Sequence, residues 1–452
     1  MAGFLAGGLP IGHAQPGDEG ETPTRPTPVP INEPPPAEPP GDTPPAPPTS
    51  TTEAPAPPEP IEPTQPNDVD HAFQVPTLQI HGFVGEGAFI STSNDYIGVS
   101  TRGSVELFEA GLNVSKEITD RLRAGIQFYA RDEGSLKDLP PRLDWAFLDY
   151  HWKDWLGFRA GVIKMPFGLY NEYADIDSAR TAILMPQSVY SIRNRSALLA
   201  QTGFSIYGER ELGENAGSLE YQAWLGTLNI PGNALVVNNA TLDNIDTKYV
   251  TGGQLFWHTP LDGLRIGGTF LRTSIDFYLT LDPATVAAIV MAGLAPADFT
   301  GAIEIYQRPD QQWIASAEYT HEDWLFAAEY SRVYGRQRSN VPSLLPTVET
   351  TSEHFYALAT RRLFDWLEGG AYYSVLYPNV DDRHGHDKMR FPVKTNAWQR
   401  DAAVTLRFDV NDHWLWKLEA HVIDGTADVL GPQTGPLERY WALFLLKTTV
   451  TF

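Results

Sequence analysis

The chain ends on residues Tyr440–Phe452, which read YWALFLLKTTVTF. Alternate residues fall on opposite faces of a β-strand. One face then has aromatic residues at both ends and mostly aliphatic residues between them, which is typical of a strand that contacts lipid between two interfacial aromatic girdles. A single amphipathic strand also suits a soluble sandwich, so the rest of the chain has to decide between the two folds. The first face carries Tyr440, Ala442, Phe444, Leu446, Thr448, Val450 and Phe452.

The same alternation recurs along the chain and predicts sixteen strands. In residues 122–131, for example, Leu122, Ala124, Ile126 and Phe128 share one face, and Arg123, Gln127 and Arg131 lie on the other. The even strand number predicts an antiparallel barrel that closes on itself. The predicted strands cover residues 79–91, 104–116, 121–131, 142–153, 156–165, 201–210, 217–229, 248–259, 264–279, 311–321, 324–337, 353–362, 367–377, 399–410, 413–424 and 440–452.

The connections between these strands alternate between short and long. Two-residue to six-residue turns, such as 154–155 and 411–412, are followed by long connections such as 166–200 and 280–310. This alternation places short turns on one rim and long loops on the other, as in transmembrane β-barrels. A Greek-key sandwich has no reason to keep it. We therefore predict an all-β, sixteen-stranded antiparallel transmembrane β-barrel over residues 76–452.

Composition narrows the function classes further. The chain has 452 residues and a formal net charge of -23, which argues against a nucleic-acid partner because such partners need a basic surface. It contains no cysteine, which excludes disulfides, thiolate metal sites and cysteine catalysis. The sequence contains no stretch of eighteen apolar residues, so it predicts no membrane-spanning helix.

The N-terminal part of the sequence differs from the rest. Residues 1–14 are mildly apolar and end on Gly12-His13-Ala14, which suits a signal-peptide cleavage site and predicts a signal-peptide remnant. Residues 15–75 are rich in proline and acidic, with 21 of the 37 prolines falling within residues 1–70. Such a segment cannot bury enough apolar surface to fold, so we predict a disordered arm. The alternative is a linker that has no binding partner.

Two stretches resemble known outer-membrane proteins. The Tyr440–Phe452 ending is similar to the terminal strand of bacterial outer-membrane β-barrels, which typically close on a C-terminal Phe. Residues 161–168, GVIKMPFG, resemble a stretch of the phosphate-selective porin family and its sixteen-stranded relatives. The resemblance implies a homotrimeric diffusion channel, narrowed by an inward-folded loop at about residues 166–200. Phosphate-selective members line this constriction with basic residues, whereas this loop mixes both charges.

The charged residues of this loop and of the predicted inner face are the candidate pore-lining residues. Ionisable side chains are tolerated in a membrane span where they meet water or a partner. A basic wall from the first and last strands would face acidic groups and select solutes by charge, unless the charges only form structural salt bridges. The candidates are Arg121, Arg123, Arg131, Arg159, Glu172, Asp175, Asp177, Arg180, Arg193, Arg195, Glu318, Glu329, Arg407, Lys417 and Lys447.

Other chemistry receives little support from the sequence. His384-Gly-His386-Asp387 has residue types that bind metals but lies in a predicted exposed loop. No nucleophile motif such as G-x-S-x-G is present, so we predict no catalytic residue, no metal and no cofactor. Asp282-Pro283 and Gly293 frame a short helix in the 280–310 loop, either at the barrel mouth or without any gating role.

The sequence therefore predicts a porin in the bacterial outer membrane that passes small hydrophilic solutes or ions. Its partners would be the lipid bilayer and two further copies of the chain. Both barrel ends fall on the short-turn rim, which places the N-terminal arm in the periplasm, where it can contact cell wall or a periplasmic protein. Two alternatives stay open: a channel specific for a phosphate-like anion, sugar or organic acid, and an envelope tether that uses the barrel as an anchor.

Overall fold

The chain folds into sixteen antiparallel strands that close into a barrel, as predicted. The computed structural model describes residues 78–452 except residues 135, 194, 214, 231–238 and 430–432. The predictions for residues 1–14 and 15–75 lie outside the described residues. Each strand pairs with its neighbours in sequence, and β1 pairs with β16 through partners such as Val84 and Val450.

The strand boundaries lie close to the predicted ones for most of the barrel. The strands are β1 (Leu78–Ser91), β2 (Leu107–Thr119), β3 (Leu122–Glu133), β4 (Leu136–Lys153), β5 (Leu156–Lys164), β6 (Ala200–Glu211), β7 (Ser218–Leu228), β8 (Ala240–His258), β9 (Leu264–Leu281), β10 (Ala302–His321), β11 (Trp324–Ser339), β12 (Val348–Phe364), β13 (Leu367–Tyr377), β14 (Gln399–Asn411), β15 (Trp414–Gly425) and β16 (Tyr440–Thr451).

One predicted loop, residues 132–141, is instead part of the β3–β4 hairpin. This stretch contains Gly134 and Pro140-Pro141, which are residue types typical of loops. Proline lacks the backbone donor that a regular ladder needs, but strands accept it at bulges. The register between β3 and β4 shifts between Tyr129 and Arg131, and this irregularity accommodates the two prolines.

The described helices are short. They are α1 (Arg195–Leu198) and α2 (Pro283–Met291), with 3-10 turns at Ser100–Arg102, Asn171–Tyr173, Asp177–Ala179, Val380–Asp382 and Lys394–Ala397. The predicted cap of α2 is present, since Asp282 Oδ1 accepts a hydrogen bond of 2.9 Å from the Thr285 amide. Among the described residues, no helix has the length and apolar character that crossing a membrane requires.

The outer face of the barrel is apolar and exposed. Phe204 is 71% exposed and Val422 is 69% exposed, although both lie in the middle of paired strands. A soluble protein of this size would not leave so many large apolar side chains in contact with water. The outward set also includes Val84, Phe128, Leu225, Leu255, Trp313, Val404, Leu418 and Phe444.

Two of the apolar clusters among the described residues are large and join strands to the long loops. One joins the inner faces of β7–β11 to Ile289 of α2 and to Phe167 and Tyr190 of the loop after β5. The other joins Trp441 and Leu443 of β16 to Ile183 and Leu184 of the same loop. Near the long-loop rim the inward residues of β9, such as Ile275 and Phe277, are apolar. The inner face is therefore apolar here, which reverses the usual alternation of outward apolar and inward polar residues. Loop residues reach both clusters.

Candidate functional site

The loop between β5 and β6, residues 165–199, is fixed at one point by a buried ionic cluster. Asp177 Oδ1 lies 2.9 Å from Lys417 Nζ and 3.2 Å from Lys447 Nζ, and Oδ2 accepts a hydrogen bond of 2.7 Å from Thr449. Burial alone would raise the pKa of Asp177, but Lys417, Lys447 and Arg180 hold it well below its usual value. The side chains of Lys417 and Asp177 have no exposure to solvent, so both charges are shielded from water by the surrounding residues.

A second fixed point surrounds Glu329 on β11. Its carboxylate accepts hydrogen bonds from the Leu169 amide at 2.9 Å, from Tyr356 Oη at 2.9 Å and from Tyr190 Oη. Tyr190 and Leu169 belong to the β5–β6 loop, whereas Tyr356 lies on β12. The loop therefore packs against the inward side of β11 and β12, with Glu329 satisfied by several donors at once.

A third fixed point involves β15. Glu419 accepts hydrogen bonds from the Ile183 and Leu184 amides at 2.7 and 2.9 Å. His421 lies 3.0 Å from both Glu419 and Asp401, which orients the Glu419 carboxylate toward the loop backbone. Further contacts reach β13 and β14, through Thr181 with Glu368 and through Arg407 with the Ser178 carbonyl at 2.6 Å. The loop thus contacts the polar face of every strand from β11 to β16, and that face lies opposite the exposed apolar one.

Several predicted site residues are paired and buried near the first strands. Arg131 is 2.6 Å from Glu133. Arg193 donates to the Tyr96 carbonyl at 2.6 Å, and Arg195 lies 3.1 Å from Asp144 with its guanidinium over the Tyr129 ring. These three arginines tie the end of the β5–β6 loop to the long-loop side of the barrel.

The remaining predicted residues have mixed surroundings. Glu318 bonds Arg265 at 2.8 Å and accepts from Tyr170 Oη at 2.7 Å, and Arg407 also binds Asp409 at 2.7 Å. Arg180 is 3.5 Å from Asp177, and Arg121 lies at the exposed β2–β3 turn.

A cavity of about 530 Å³ lies on the side of the barrel that the fixed points leave open. Residues of β3–β7 line it, together with Glu172 and Tyr173 of the β5–β6 loop. The predicted residues Arg123, Arg159 and Glu172 meet there, along with Lys164, Asp149 and Glu220. Asp154 of the β4–β5 turn also lines the cavity, which places it near the short-turn rim.

Two cations of this cavity already have acidic partners. Arg159 lies 3.1 Å from Asp149, and Lys164 lies 2.5 Å from Asp175. Burial alone would raise the pKa of Asp175. Its cationic neighbours, of which Lys164 has the largest effect, outweigh burial and lower this pKa. Asp175 also accepts a hydrogen bond of 2.6 Å from Gln127, so it is a buried anchor of Lys164.

Comparisons with known proteins bear on the fold. The anion-selective porin of Comamonas acidovorans superposes with a TM-score of 0.51 at 10% sequence identity, over 83% of this chain and 100% of that one. The outer-membrane channel DcaP of Acinetobacter baumannii gives 0.50 at 12% identity, over 83% and 97%. The loop-deleted OmpT outer-membrane protein of Vibrio cholerae gives 0.51 at 11% identity, over 84% and 100%. The likeness shows a porin fold.

At this level of identity the likeness extends to the porin fold alone. No protein-family model matches the chain, and no curated protein matches it. The resemblance to the phosphate-selective family therefore stays a prediction that rests on residues 161–168. The porin fold does give the candidate site its context, because the cavity and the β5–β6 loop both lie against the inward faces of the strands.

Sequence reasoning missed several residues that position the loop. Glu419, His421, Glu368 and Tyr190 were absent from the candidates, although the alternation of β15 placed Glu419 and His421 on its polar face. A systematic search for acidic residues on inward faces would have found Glu368 and Glu419. Tyr190 carries no such signal, because its contact with Glu329 joins residues far apart in the chain.

The His384-Gly-His386 segment lies in the long β13–β14 loop, where the two histidine rings are 6.0 Å apart. Asp382 accepts hydrogen bonds from the His386 and Asp387 amides at 2.8 Å, which forms an ordinary loop turn. Within the described residues no group of three His, Asp or Glu side chains is placed to hold a metal ion.

Proposed function

We propose that this protein is an outer-membrane porin that passes small hydrophilic solutes or ions by diffusion. The observation that carries the proposal is the position of the β5–β6 loop. It is bonded to the inward faces of β11–β16 and also to Gln127 of β3, Gln254 of β8 and Thr269 of β9, while a cavity of about 530 Å³ remains along β3–β7. A sixteen-stranded barrel encloses an aqueous lumen, and a loop bonded to strands on several sides narrows it without filling it.

The exposed apolar outer face supports the membrane part of this proposal. Strands of a transmembrane barrel alternate apolar residues toward lipid with polar residues toward the lumen. Here the inner face near the short-turn rim carries Arg123, Arg159, Glu318 and Lys417. Phe204 and Val404 face outward. We place the short-turn rim and the N-terminal arm in the periplasm, since β1 begins and β16 ends at that rim.

The outer face of β1 supports contact with another copy of the chain, and the homotrimer is the assembly that the family resemblance implies. Glu86 is exposed on the same face as Val84 and Ile90, and its strand partner on β16 is Thr448. A carboxylate on the lipid side of a barrel is destabilising at membrane depth. A second copy of the chain that covers this face would remove Glu86 from lipid.

Reconstitution into planar bilayers tests the channel and the trimer together. We expect stepwise insertion of open channels, with closure in three equal sublevels because each protomer has its own lumen. A variant that lacks residues 1–75 should give the same conductance, since the barrel alone forms the path. Folded protein that inserts without any current would contradict the porin proposal, and single-level closure would contradict the trimer.

A further inference from the structure

The cavity along β3–β7 combines aromatic rings with an excess of carboxylates. Five aromatic residues line it: Trp145, Phe147, Tyr173, Tyr207 and Tyr221. Its charged lining consists of five acidic and three basic residues, a formal excess of two negative charges. The acidic members are Asp149, Asp154, Glu172, Glu209 and Glu220, and the basic members are Arg123, Arg159 and Lys164.

Two of the three basic residues are held in close ion pairs, whereas Arg123 donates to Ser115 Oγ at 3.2 Å. Arg159 is held by Asp149 at 3.1 Å, and Lys164 is held by Asp175 at 2.5 Å and by the Glu172 carbonyl at 2.8 Å. A cation held in a close ion pair attracts an incoming anion only weakly, because its charge is already neutralised by its partner. The carboxylates of Glu172 and Glu220 are less compensated, because Glu172 lies 3.9 Å from the nearest guanidinium nitrogen, and Glu220 contacts His258 at 3.0 Å with Arg265 acting on it at longer range.

The rings of the cavity already receive cations from the chain itself. The Arg159 guanidinium lies 4.8 Å from the Tyr207 ring centre and 5.3 Å from that of Phe147. Lys164 Nζ lies 5.8 Å from the centre of the Trp145 ring. Cations are attracted to aromatic faces within about 6 Å, so these rings suit a positively charged group. Two further rings, Tyr173 and Tyr221, line the same space.

We propose that this cavity is a binding site for small organic cations, namely amines or quaternary ammonium compounds that carry an apolar or aromatic group. The proposal deepens the porin proposal and rests on it, because it names the solute class that the lumen retains. The charged group would lie between Glu172 and Glu220, and the apolar group would stack on the aromatic wall. A volume of about 530 Å³ accommodates a small ring with a short side chain.

The surroundings of Glu172 support this placement. Burial raises the pKa of Glu172, Glu220 adds to the rise, and Arg159 and Lys164 act against it. A cation bound between the two carboxylates would relieve their mutual repulsion. An anion bound there would increase it, so the cavity discriminates between the two by sign.

The test uses benzyltrimethylammonium with the folded full-length protein in detergent. Isothermal titration calorimetry should show saturable binding of this cation, with benzyl alcohol and benzoate at least about tenfold weaker because they lack the cationic contact. The double variant Glu172→Gln/Glu220→Gln should weaken cation binding on the order of tenfold or more. Glu349→Gln is the matched control, because Glu349 pairs with Arg336 in an exposed position outside the cavity.

A second variant keeps the test decisive if the double variant does not fold. Tyr173→Leu removes one ring of the wall and keeps every carboxylate, so it should weaken binding by a smaller factor. Benzoate binding as strong as that of the cation, or unchanged cation binding in Glu172→Gln/Glu220→Gln, would overturn the proposal. Calorimetry needs no current, so loss of this inference is separable from loss of the porin proposal, which is judged by conductance.

Discussion

Deleting Tyr170–Ser191 is expected to raise the single-channel conductance several-fold. This segment contains Asp177, Ile183 and Tyr190, which fix the β5–β6 loop to β16, β15 and β11. Its removal takes away the contacts with all strands from β11 to β16 and leaves those inward faces to water. Long ordered loops are usually functional, and this one occupies space that the solute path would otherwise use.

Two controls separate the position of the loop from its mere length. A Gly/Ser segment of equal length in place of Tyr170–Ser191 keeps the chain but loses the fixed points, so conductance should rise and fluctuate. Deletion of Asp381–Arg390 from the β13–β14 loop should leave conductance unchanged, because this segment lies apart from the cavity. Conductance that stays at the wild-type level in a folded Tyr170–Ser191 deletion would remove the loop from the solute path.

Replacing Asp177 by Asn is expected to destabilise the barrel by about 3–5 kcal/mol, since it leaves a buried charge without its partner. Lys417 would lose the carboxylate at 2.9 Å, and its side chain has no exposure to water. Lys447 keeps Glu109 at 2.6 Å, so the loss concentrates on Lys417. The measurement is the free energy of unfolding from urea titrations of the protein in detergent.

The pH dependence of this effect has a defined sign. The pKa of Asp177 lies well below its usual value in the folded protein because of Lys417, Lys447 and Arg180, which outweigh burial. A carboxylate with a lowered folded pKa stabilises the protein above its unfolded pKa, about 3.9 for Asp, and this contribution is lost as the pH falls toward the folded value. The difference between wild type and Asp177→Asn should therefore be constant near neutral pH and shrink below about pH 4.

Two further variants control for the charge itself. Asp177→Leu/Lys417→Met removes both members of the pair, so it should be more stable than Asp177→Asn. Glu349→Gln breaks an exposed pair with Arg336 and should change stability by less than about 1 kcal/mol. An Asp177→Asn protein as stable as wild type would show that the buried cluster does not hold the loop.

The strand pattern was predictable because each strand carries its own local signal. Alternation in residues 402–410 and 414–422 depends only on which side chains face lipid, and it gave β14 and β15 within two residues. The extension of the β3–β4 hairpin into residues 132–141 was not predicted, because Pro140-Pro141 is typical of a loop unless a bulge accepts it. The apolar inner faces near the long-loop rim were not predicted either, because the alternation alone cannot tell which face points inward once a strand leaves the membrane.

The candidate site was predictable in part. The residues at the start of the β5–β6 loop and the inward arginines Arg123 and Arg159 meet at the cavity. The pairing of Lys417 with Asp177 depends on which strand the loop reaches, whereas Arg159 and Asp149 are opposite residues of the β4–β5 hairpin. Lys417 and Asp177 lie more than a hundred positions apart in the chain, so no local pattern in the sequence contains their contact.

We expect solutes to pass between the β5–β6 loop and the β3–β7 wall, and a cysteine substitution tests this path most directly. The chain has no cysteine, so Gln222→Cys provides a single thiol on the cavity wall. Asp298→Cys, in the exposed segment before β10, is the control, and Thr405→Cys lies where β14 contacts the loop. A bulky thiol reagent added during single-channel recording should lower the current in steps for Gln222→Cys and leave the other two unchanged. A current that responds at Thr405→Cys and not at a modified Gln222→Cys would contradict this path.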